Sequence, residues 1–343
     1  MFVKPRVGFA GLSHDHVWQL AASWSNQECE LVAASDVNCN LRERMRLEFG
    51  VQQGFITWQE MLKGVDLDVL VVNMPNCDHA DVVESAAALG IHCQVEKPMA
   101  ATLEQARKMI SASEDGSIAL MVNWPTAWDP ALRTAIGRAK SGEIGRIVRV
   151  LHRGGHAGPR QIGCSDEFCE WLYDPDQNGA GAYMDYSGYG IAVSLELLGR
   201  PNTVFAHMLH AGDDMFPGDD NAVLVLGYED SLAVIECSWT FRGGASWATA
   251  IHGEMGSLFV DMKGQTLVQT NHTDKKIYEP DDALLQVALD QLPEGNRDPA
   301  EFFLRNFRSG EFDGPTSARF ACEIQEIMDA GLRSASEHKV IKM

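Results

Sequence analysis

The chain has 343 residues, enough for two domains of about 150 residues each. With 45% hydrophobic and 22% charged residues it has an ordinary globular composition and needs no cross-links to build its cores. Its 28 basic and 48 acidic residues leave a formal charge of −20 with no basic stripe, which argues against partners such as nucleic acid or an anionic membrane surface.

The first third alternates two periods. Short apolar runs at 7–10, 31–34, 69–72, 92–95 and 118–122 are separated by helix-like stretches at 15–23, 41–49, 80–89 and 103–112. Strands buried on both faces read as continuous apolar runs, and helices fill the crossovers between them. The pattern predicts an α/β Rossmann domain, a doubly wound parallel sheet, over residues 1–123. After Asn123 the rhythm changes. A helix is expected over 125–140, a strand over 146–153, a polar Gly-rich stretch over 154–185, and then a helix to Leu198. Strand-like runs follow at 203–210, 222–227, 232–240, 248–252, 257–260 and 266–269, with turn residues between them; helices are expected at 284–292 and 316–334. Residues 124–343 therefore read as an α+β domain with a large, mostly antiparallel, open-faced sheet.

Eight cysteines are scattered without a CxxC pair, as reduced core thiols are. No signal-peptide core opens the chain, and no stretch approaches the ~20 apolar residues of a membrane span. A reduced, cytoplasmic, soluble protein is the expectation.

The first turn reads Val7-Gly8-Phe9-Ala10-Gly11-Leu12-Ser13-His14-Asp15-His16. A strand stops at Ala10, Gly11 permits a tight turn, and a helix begins near Asp15, whose first N–H groups suit a pyrophosphate. The G-x-G-x-x-G fingerprint is degraded, with Ser13 and His16 at its second and third glycines. Asp36 closes the second apolar run about 20 residues on, where an acid hydrogen-bonds the adenine ribose. A carboxylate there repels a 2′-phosphate, so NAD is favoured over NADP, with Arg42 or Arg44 the cations that would change this by reaching back. The pair His14 and His16 invites a metal, but i and i+2 side chains diverge at a helix start and no ligand cluster accompanies them. Capping by Asp15, or contact of His14 with cofactor or substrate, is the preferred reading. His207, His210, Asp213 and Asp214 are likewise read as a strand followed by an acidic loop. No metal is expected.

Chemistry gathers at three further segments. Asn73-Met74-Pro75-Asn76-Cys77-Asp78-His79 and Val95-Glu96-Lys97-Pro98 end two sheet strands, where open α/β sheets bind ligands, so Asn76, His79, Glu96 and Lys97 should share one crevice. Pro98 holds Lys97 extended, which projects its ammonium from the strand end. The third segment, Asn178 to Ile191, opens a helix after a Gly-rich turn and sets Asp185 and Tyr189 four apart on one face. Gly8, Gly11, Ser13, His14, Asp36, Asn76, His79 and Glu96 are the candidate cofactor residues, and Lys97, Asp185 and Tyr189 the candidate catalytic ones.

With "GEIGRI" at Gly142–Ile147 and a final helix ending in Ser334-Ala335, these blocks resemble the Gfo/Idh/MocA oxidoreductases, the glucose–fructose oxidoreductase and inositol dehydrogenase family, over nearly the whole chain. The resemblance implies that Lys97 orients substrate and assists proton transfer at the nicotinamide. It also implies that Asp185 and the residue four later complete the site, where tyrosine replaces the more usual histidine. Tyrosine titrates near ~10 and histidine near ~6.5, so Tyr189 as a base needs a nearby cation. Trp124 stands where members often carry a basic residue. His156 and Arg160, in a flexible stretch after the 146–153 strand, could enter the crevice, His156 supplying the missing imidazole. Trp171, Tyr173 and Tyr183 are read as core aromatics before sugar platforms.

The expected function is NAD(P)-dependent hydride transfer on a sugar, polyol or inositol-like alcohol. The alternatives are a silent nucleotide-binding sensor, or an NAD-dependent lyase or glycosidase with no net redox change. Resemblance also implies a homodimer or homotetramer paired through the second sheet.

Overall fold

The computed structural model describes residues 4–212, 216–242, 248–261, 267–271, 285–309, 312 and 314–343. In chain order the first elements are β1 (Arg6–Ala10), α1 (Val17–Ser25), β2 (Glu30–Ser35), α2 (Cys39–Phe49), β3 (Gln53–Phe55), α3 (Trp58–Gly64), β4 (Val69–Val72), α4 (His79–Ala88), β5 (His92–Glu96), α5 (Leu103–Asp115) and β6 (Leu120–Asn123). The strands form a sheet ordered β3-β2-β1-β4-β5-β6 with every pairing parallel. Strand order reverses between β1 and β4, which opens a crevice outside their carboxyl ends. β4 is buried at every residue, as its unbroken apolar run requires. Helix starts are fixed locally: Thr57 with Glu60, and Thr102 with Gln105, form reciprocal capping boxes.

The chain continues with α6 (Pro130–Lys140), β7 (Ile147–Gly155), α7 (Asp166–Leu172), α8 (Pro175–Asn178), α9 (Ala182–Leu198), β8 (Thr203–Leu209), β9 (Asn221–Gly227), β10 (Leu232–Ser238), β11 (Thr249–Gly253), β12 (Gly256–Val260), β13 (Leu267–Asn271), β14 (Leu285–Val287), α10 (Pro299–Asn306), α11 (Ala318–Glu337) and β15 (Ile341–Lys342). A second sheet is ordered β14-β13-β12-β11-β7-β10-β9-β8-β15; β7 and β10 pair in parallel and the remaining pairs are antiparallel. One face buries alternate residues of β9 and β10 under α9. A Cβ on Gly190 of α9 would stand 2.7 Å from Ile235 of β10, so a glycine is what lets helix and sheet meet this closely. The other face carries exposed Phe205 and Leu209.

By compactness the residues divide into two units. One comprises 1–124, 163–181 and 293–325; the other comprises 125–162, 182–292 and 326–343. The segments 163–181 and 293–325 thus pack with the parallel sheet, although they lie beyond the division expected at residue 123. The structure differs from the sequence reading at three places. The helix expected over 284–292 is the edge strand β14, paired with β13; residue 284 lies outside the described residues. The polar, Gly-rich stretch expected over 154–185 holds α7 and α8, capped by Ser165 and Asp174. Helix α10 was not foreseen, although Asp298 accepts from the Ala300 and Glu301 N–H groups and Pro299 sits at its first turn. The start of the strand expected at Thr266 lies outside the described residues, and its remainder is β13.

Candidate active site

In the first unit, Gly11 follows β1 with φ +80°, and its N–H donates to the Ser35 carbonyl at 2.9 Å. A Cβ here would come within 2.6 Å of Met74 Sδ and 2.8 Å of the Asn73 carbonyl, so a turn this tight tolerates only glycine. Gly8 is different. It lies inside β1, where a Cβ would meet Leu67 at 2.7 Å, so packing accounts for it. Helix α1 then begins with no side-chain cap and no acid in its first turn, a partial positive end free to meet an anion.

Asp36 ends β2. One carboxylate oxygen accepts from Leu12 N–H and the other from Asn38 N–H, both at 2.8 Å, which ties the first turn to the second strand. Arg42 does reach back: its Nη1 donates to the Asp36 carbonyl, while Arg44 lies 3.8 Å over the Trp18 ring and pairs with Glu48. Ser13, Asp36, Asn38, Pro75 and Trp171 are among the residues lining a cavity of about 490 Å³ at the carboxyl ends of the strands. The Gly11 turn, the bare helix start and this acid-lipped cavity fit a dinucleotide. Beside them Asn73 is wholly buried, and among the described residues neither of its amide atoms has a hydrogen-bond partner.

His14 is buried against Phe168, ring centroids 4.4 Å apart, and burial holds its imidazole well below the ordinary range, with His16, Lys97 and His79 adding to the effect. His16 N–H donates to His14 Nδ1 at 3.2 Å, so neutral His14 carries its proton on Nε2. The divergence expected of His14 and His16 is not observed. Both precede α1, so helical spacing does not apply, and their ring centroids lie 4.6 Å apart. His16 Nδ1 meets Glu96 at 3.0 Å, and Asn123 donates to the other oxygen of that buried carboxylate at 2.8 Å. His14, His16 and Glu96 bring three potential metal ligand atoms within 4.8 Å of one another, a set absent from the sequence spacing because Glu96 arrives from β5. Asp15 does not cap α1; its carboxylate holds Ser165 at 2.6 and 2.9 Å.

His79 is buried with both ring nitrogens on backbone carbonyls, Met99 at 3.1 Å and Met74 at 3.0 Å, so it holds the turn and presents no spare nitrogen to a ligand. Asn76 is buried, donating to Asn178 at 2.8 and 3.0 Å, while among the described residues its own Oδ1 has no partner. Lys97, after β5, is 4% exposed, and Trp124 is buried.

Asp185 and Tyr189 lie on α9 in the second unit. Asp185 is buried and accepts from Trp239 Nε1 at 3.1 Å. Tyr189 lines a cavity of about 320 Å³ together with Tyr186, Thr126, Asp129, His152 and Asp261. The imidazole on this wall is His152, not His156. His156 takes the Gly158 N–H on Nδ1 at 3.0 Å and packs edge-on against Tyr186, and Arg160 is exposed. His152 is buried on β7, its Nδ1 3.0 Å from Thr249 Oγ1, and burial lowers it to about 4. The period-two pattern of β7 was the signal that turns it inward. Tyr183 is core, its hydroxyl donating to the Met328 carbonyl at 2.9 Å. His210 Nδ1 meets the Gly218 carbonyl at 3.0 Å; Asp213 and Asp214 lie outside the described residues.

Residues 6–124 match the family model described as "Oxidoreductase family, NAD-binding Rossmann fold", and residues 132–259 match "GFO/IDH/MocA C-terminal domain". The chain belongs to the Gfo/Idh/MocA family. Its relatives within the family include D-apiose dehydrogenase of Paraburkholderia graminis, 32% identical over 242 residues that cover 68% of this chain and 59% of that one. D-xylose 1-dehydrogenase (NADP(+)) 2 of Haloferax volcanii is 28% identical over 159 residues, 46% of each chain. The chain thus spans about half the length of these curated relatives. The solved levoglucosan dehydrogenase, in complex with NADH and levoglucosan, superposes with a TM-score of 0.83 at 20% identity over 99% of both chains, which establishes the shared fold. The Gfo/Idh/MocA fold accounts for both sheets, and the first carries the NAD-binding Rossmann crevice.

Proposed function

We propose that this protein is an NAD(P)-dependent oxidoreductase that transfers hydride between nicotinamide and an alcohol carbon of a sugar, polyol or inositol-like ring. The observation that carries the reading is the crevice at the strand ends, where the Gly11 turn, the uncapped start of α1 and Asp36 make one dinucleotide cradle. Nicotinamide, when bound, supplies the hydride acceptor or donor. Residues 1–123, joined by the 163–181 segment on the cavity wall, hold the nucleotide, and the remainder of residues 124–343 supplies substrate contacts and a sheet face for pairing into a homodimer or homotetramer. Lys97 assists proton transfer at the substrate hydroxyl, Tyr189 takes that proton, and Asp185 orients the alcohol. Acid–base assistance of this kind contributes about 10²–10⁴ in rate. Dehydrogenases of apiose, xylose and levoglucosan among the similar proteins support the substrate class.

NAD is the preferred cofactor, because the Asp36 carboxylate on the cavity wall repels a 2′-phosphate more than Arg42, already bonded to the Asp36 carbonyl, attracts it. Among the described residues no helix is long and apolar enough to cross a membrane, and eight free thiols support a reducing, cytoplasmic setting. Lys97→Met tests the assignment. The variant is expected to bind NAD as the parent does and to lose at least about 10²-fold in kcat. Undiminished turnover would remove Lys97 from the chemistry. NAD binding by the parent with no turnover on any alcohol would favour a sensor, a role that the Ser13, Trp124 and Tyr189 departures leave room for.

A further inference from the structure

Residues 163–181 return to the first unit and lie across the ends of its strands. Three tethers hold them there. The Asp15 carboxylate, after β1, accepts from Ser165 Oγ at 2.6 Å and from Ser165 N–H at 2.9 Å. Asn38, after β2, donates to Glu167 at 2.9 Å. Asn76, after β4, donates to the Asn178 carbonyl at 3.0 Å and to its side-chain oxygen at 2.8 Å. The segment thus crosses the point where strand order reverses, which is where an open α/β sheet takes a dinucleotide. Glu167, Glu170, Trp171 and Gln177 line the same cavity as Asp36 and Pro75.

The turn offered to a pyrophosphate is the one this segment grips, with Ser165 on Asp15 and Phe168 on His14. Phe168 and Trp171 are buried, so lifting the segment exposes two aromatic side chains and is a rare event. Its ends are jointed. Gly163 has φ +88° with open space where a Cβ would stand, and Gly179 has φ +101° and ends α8. Between these glycines α7 and α8 keep their own caps, Ser165 and Asp174, so the piece can swing without melting.

We propose that residues 163–181 form a strap that must lift for the dinucleotide to enter or leave, so that its tethers set the pace of cofactor exchange. The tethers join protein to protein. Breaking one therefore eases opening with or without dinucleotide and speeds entry and exit together, whereas losing a mere cofactor contact speeds exit alone. The inference rests on the dinucleotide site of the reading above, whichever alcohol is oxidised.

The test is stopped-flow fluorescence of NADH binding to the full chain, and of its displacement by excess NAD. The observed binding rate of the parent is expected to stop rising with NADH concentration, at the rate of lifting. Asp15→Ala and Glu167→Ala, both at partly exposed side chains, should each raise binding and release rates about tenfold, as losing a hydrogen bond to a charged group does, with Kd within about threefold of the parent's. Asp15→Asn and Glu167→Gln keep acceptors for Ser165 and Asn38 and should exchange no faster than the parent. The sign at Asp15 is decisive: acting through charge alone, an acid beside a helix start opposes an anionic ligand, and its removal would slow release. A parent rate that climbs linearly with NADH, or alanine variants in which release alone changes, overturns the strap. Faster exchange in the alanine variants with no NADH formed from any alcohol would support the strap and count against hydride transfer. NADH formed by the parent, with exchange unmoved in every variant, would do the reverse.

Discussion

Gly11→Ala is the change whose cost the geometry defines best, and Gly50→Ala is its control. Both glycines have positive φ, +80° and +74°, but a Cβ on Gly50 meets nothing within 4 Å, whereas one on Gly11 meets Met74 Sδ at 2.6 Å and the Asn73 backbone at 2.8 Å. The left-handed conformation costs an L-residue about 1–2 kcal/mol, offset by about 0.4–1 kcal/mol from the stiffer unfolded chain. Gly50→Ala should therefore lose no more than about 1.5 kcal/mol. Gly11→Ala carries the same cost plus overpacking against backbone that cannot step aside, about 1–3 kcal/mol more. At about 2–4 °C per kcal/mol for a unit of some 150–250 residues, the two variants should melt about 2–12 °C apart. Thermal unfolding by circular dichroism measures that gap, and calorimetric titration with NAD measures the second consequence. Displacing the turn should weaken NAD at least about tenfold in Gly11→Ala and leave it unchanged in Gly50→Ala. If the two variants melt together and bind NAD equally, the turn is not the constraint argued for.

Asp36→Asn should lower the NAD-over-NADP ratio of kcat/KM by about 10–100-fold, because a charge at the 2′ position is removed while one oxygen still accepts from the turn; an unchanged ratio in steady-state kinetics would place the ribose elsewhere. For His152 the sign is fixed by burial. Its folded pKa of about 4 lies below the unfolded ~6.5, so the neutral ring contributes stability fully above that upper value and loses it as pH falls toward about 4. At pH 5 the loss is about 1–2 kcal/mol, and His152→Gln should flatten the pH 7-to-5 change in urea-unfolding free energy by that amount. His14 and His79, also lowered by burial, leave a residual slope of the same sign. Thr102→Ala, which removes one half of a capping box, should cost about 1 kcal/mol in urea unfolding with NAD affinity unaltered.

The parallel sheet was legible because its strands are buried on both faces and leave unbroken apolar runs, as at Val69–Val72. β3 left no such run; Gln53 and Gly54 are exposed on an edge strand. β14 misled for the opposite reason, since a short apolar stretch fits a helix or a strand and only its partner β13 decides. α10 had its signal in plain view, Asp298-Pro299 with Glu301 behind. On the site, the turn at Gly11 and the acid at Asp36 followed from local chemistry. His79 did not, because whether a buried imidazole faces a ligand or two backbone carbonyls depends on Met99, twenty residues away. His152 was missed in favour of His156: the alternation along β7 points the former into the cavity, whereas the latter sits beyond the strand. The His14, His16 and Glu96 cluster could not be seen from spacing at all, since one member comes from another strand.

The most direct test of the central claim is the absorbance of reduced nicotinamide when the protein, NAD and a panel of neutral sugars and cyclitols are mixed, with the oxidised product quantified alongside. Hydride transfer predicts NADH in equal amount to oxidised product, abolished in Lys97→Met. NAD bound without NADH from any member of the panel, or product formed with no NADH, would contradict it.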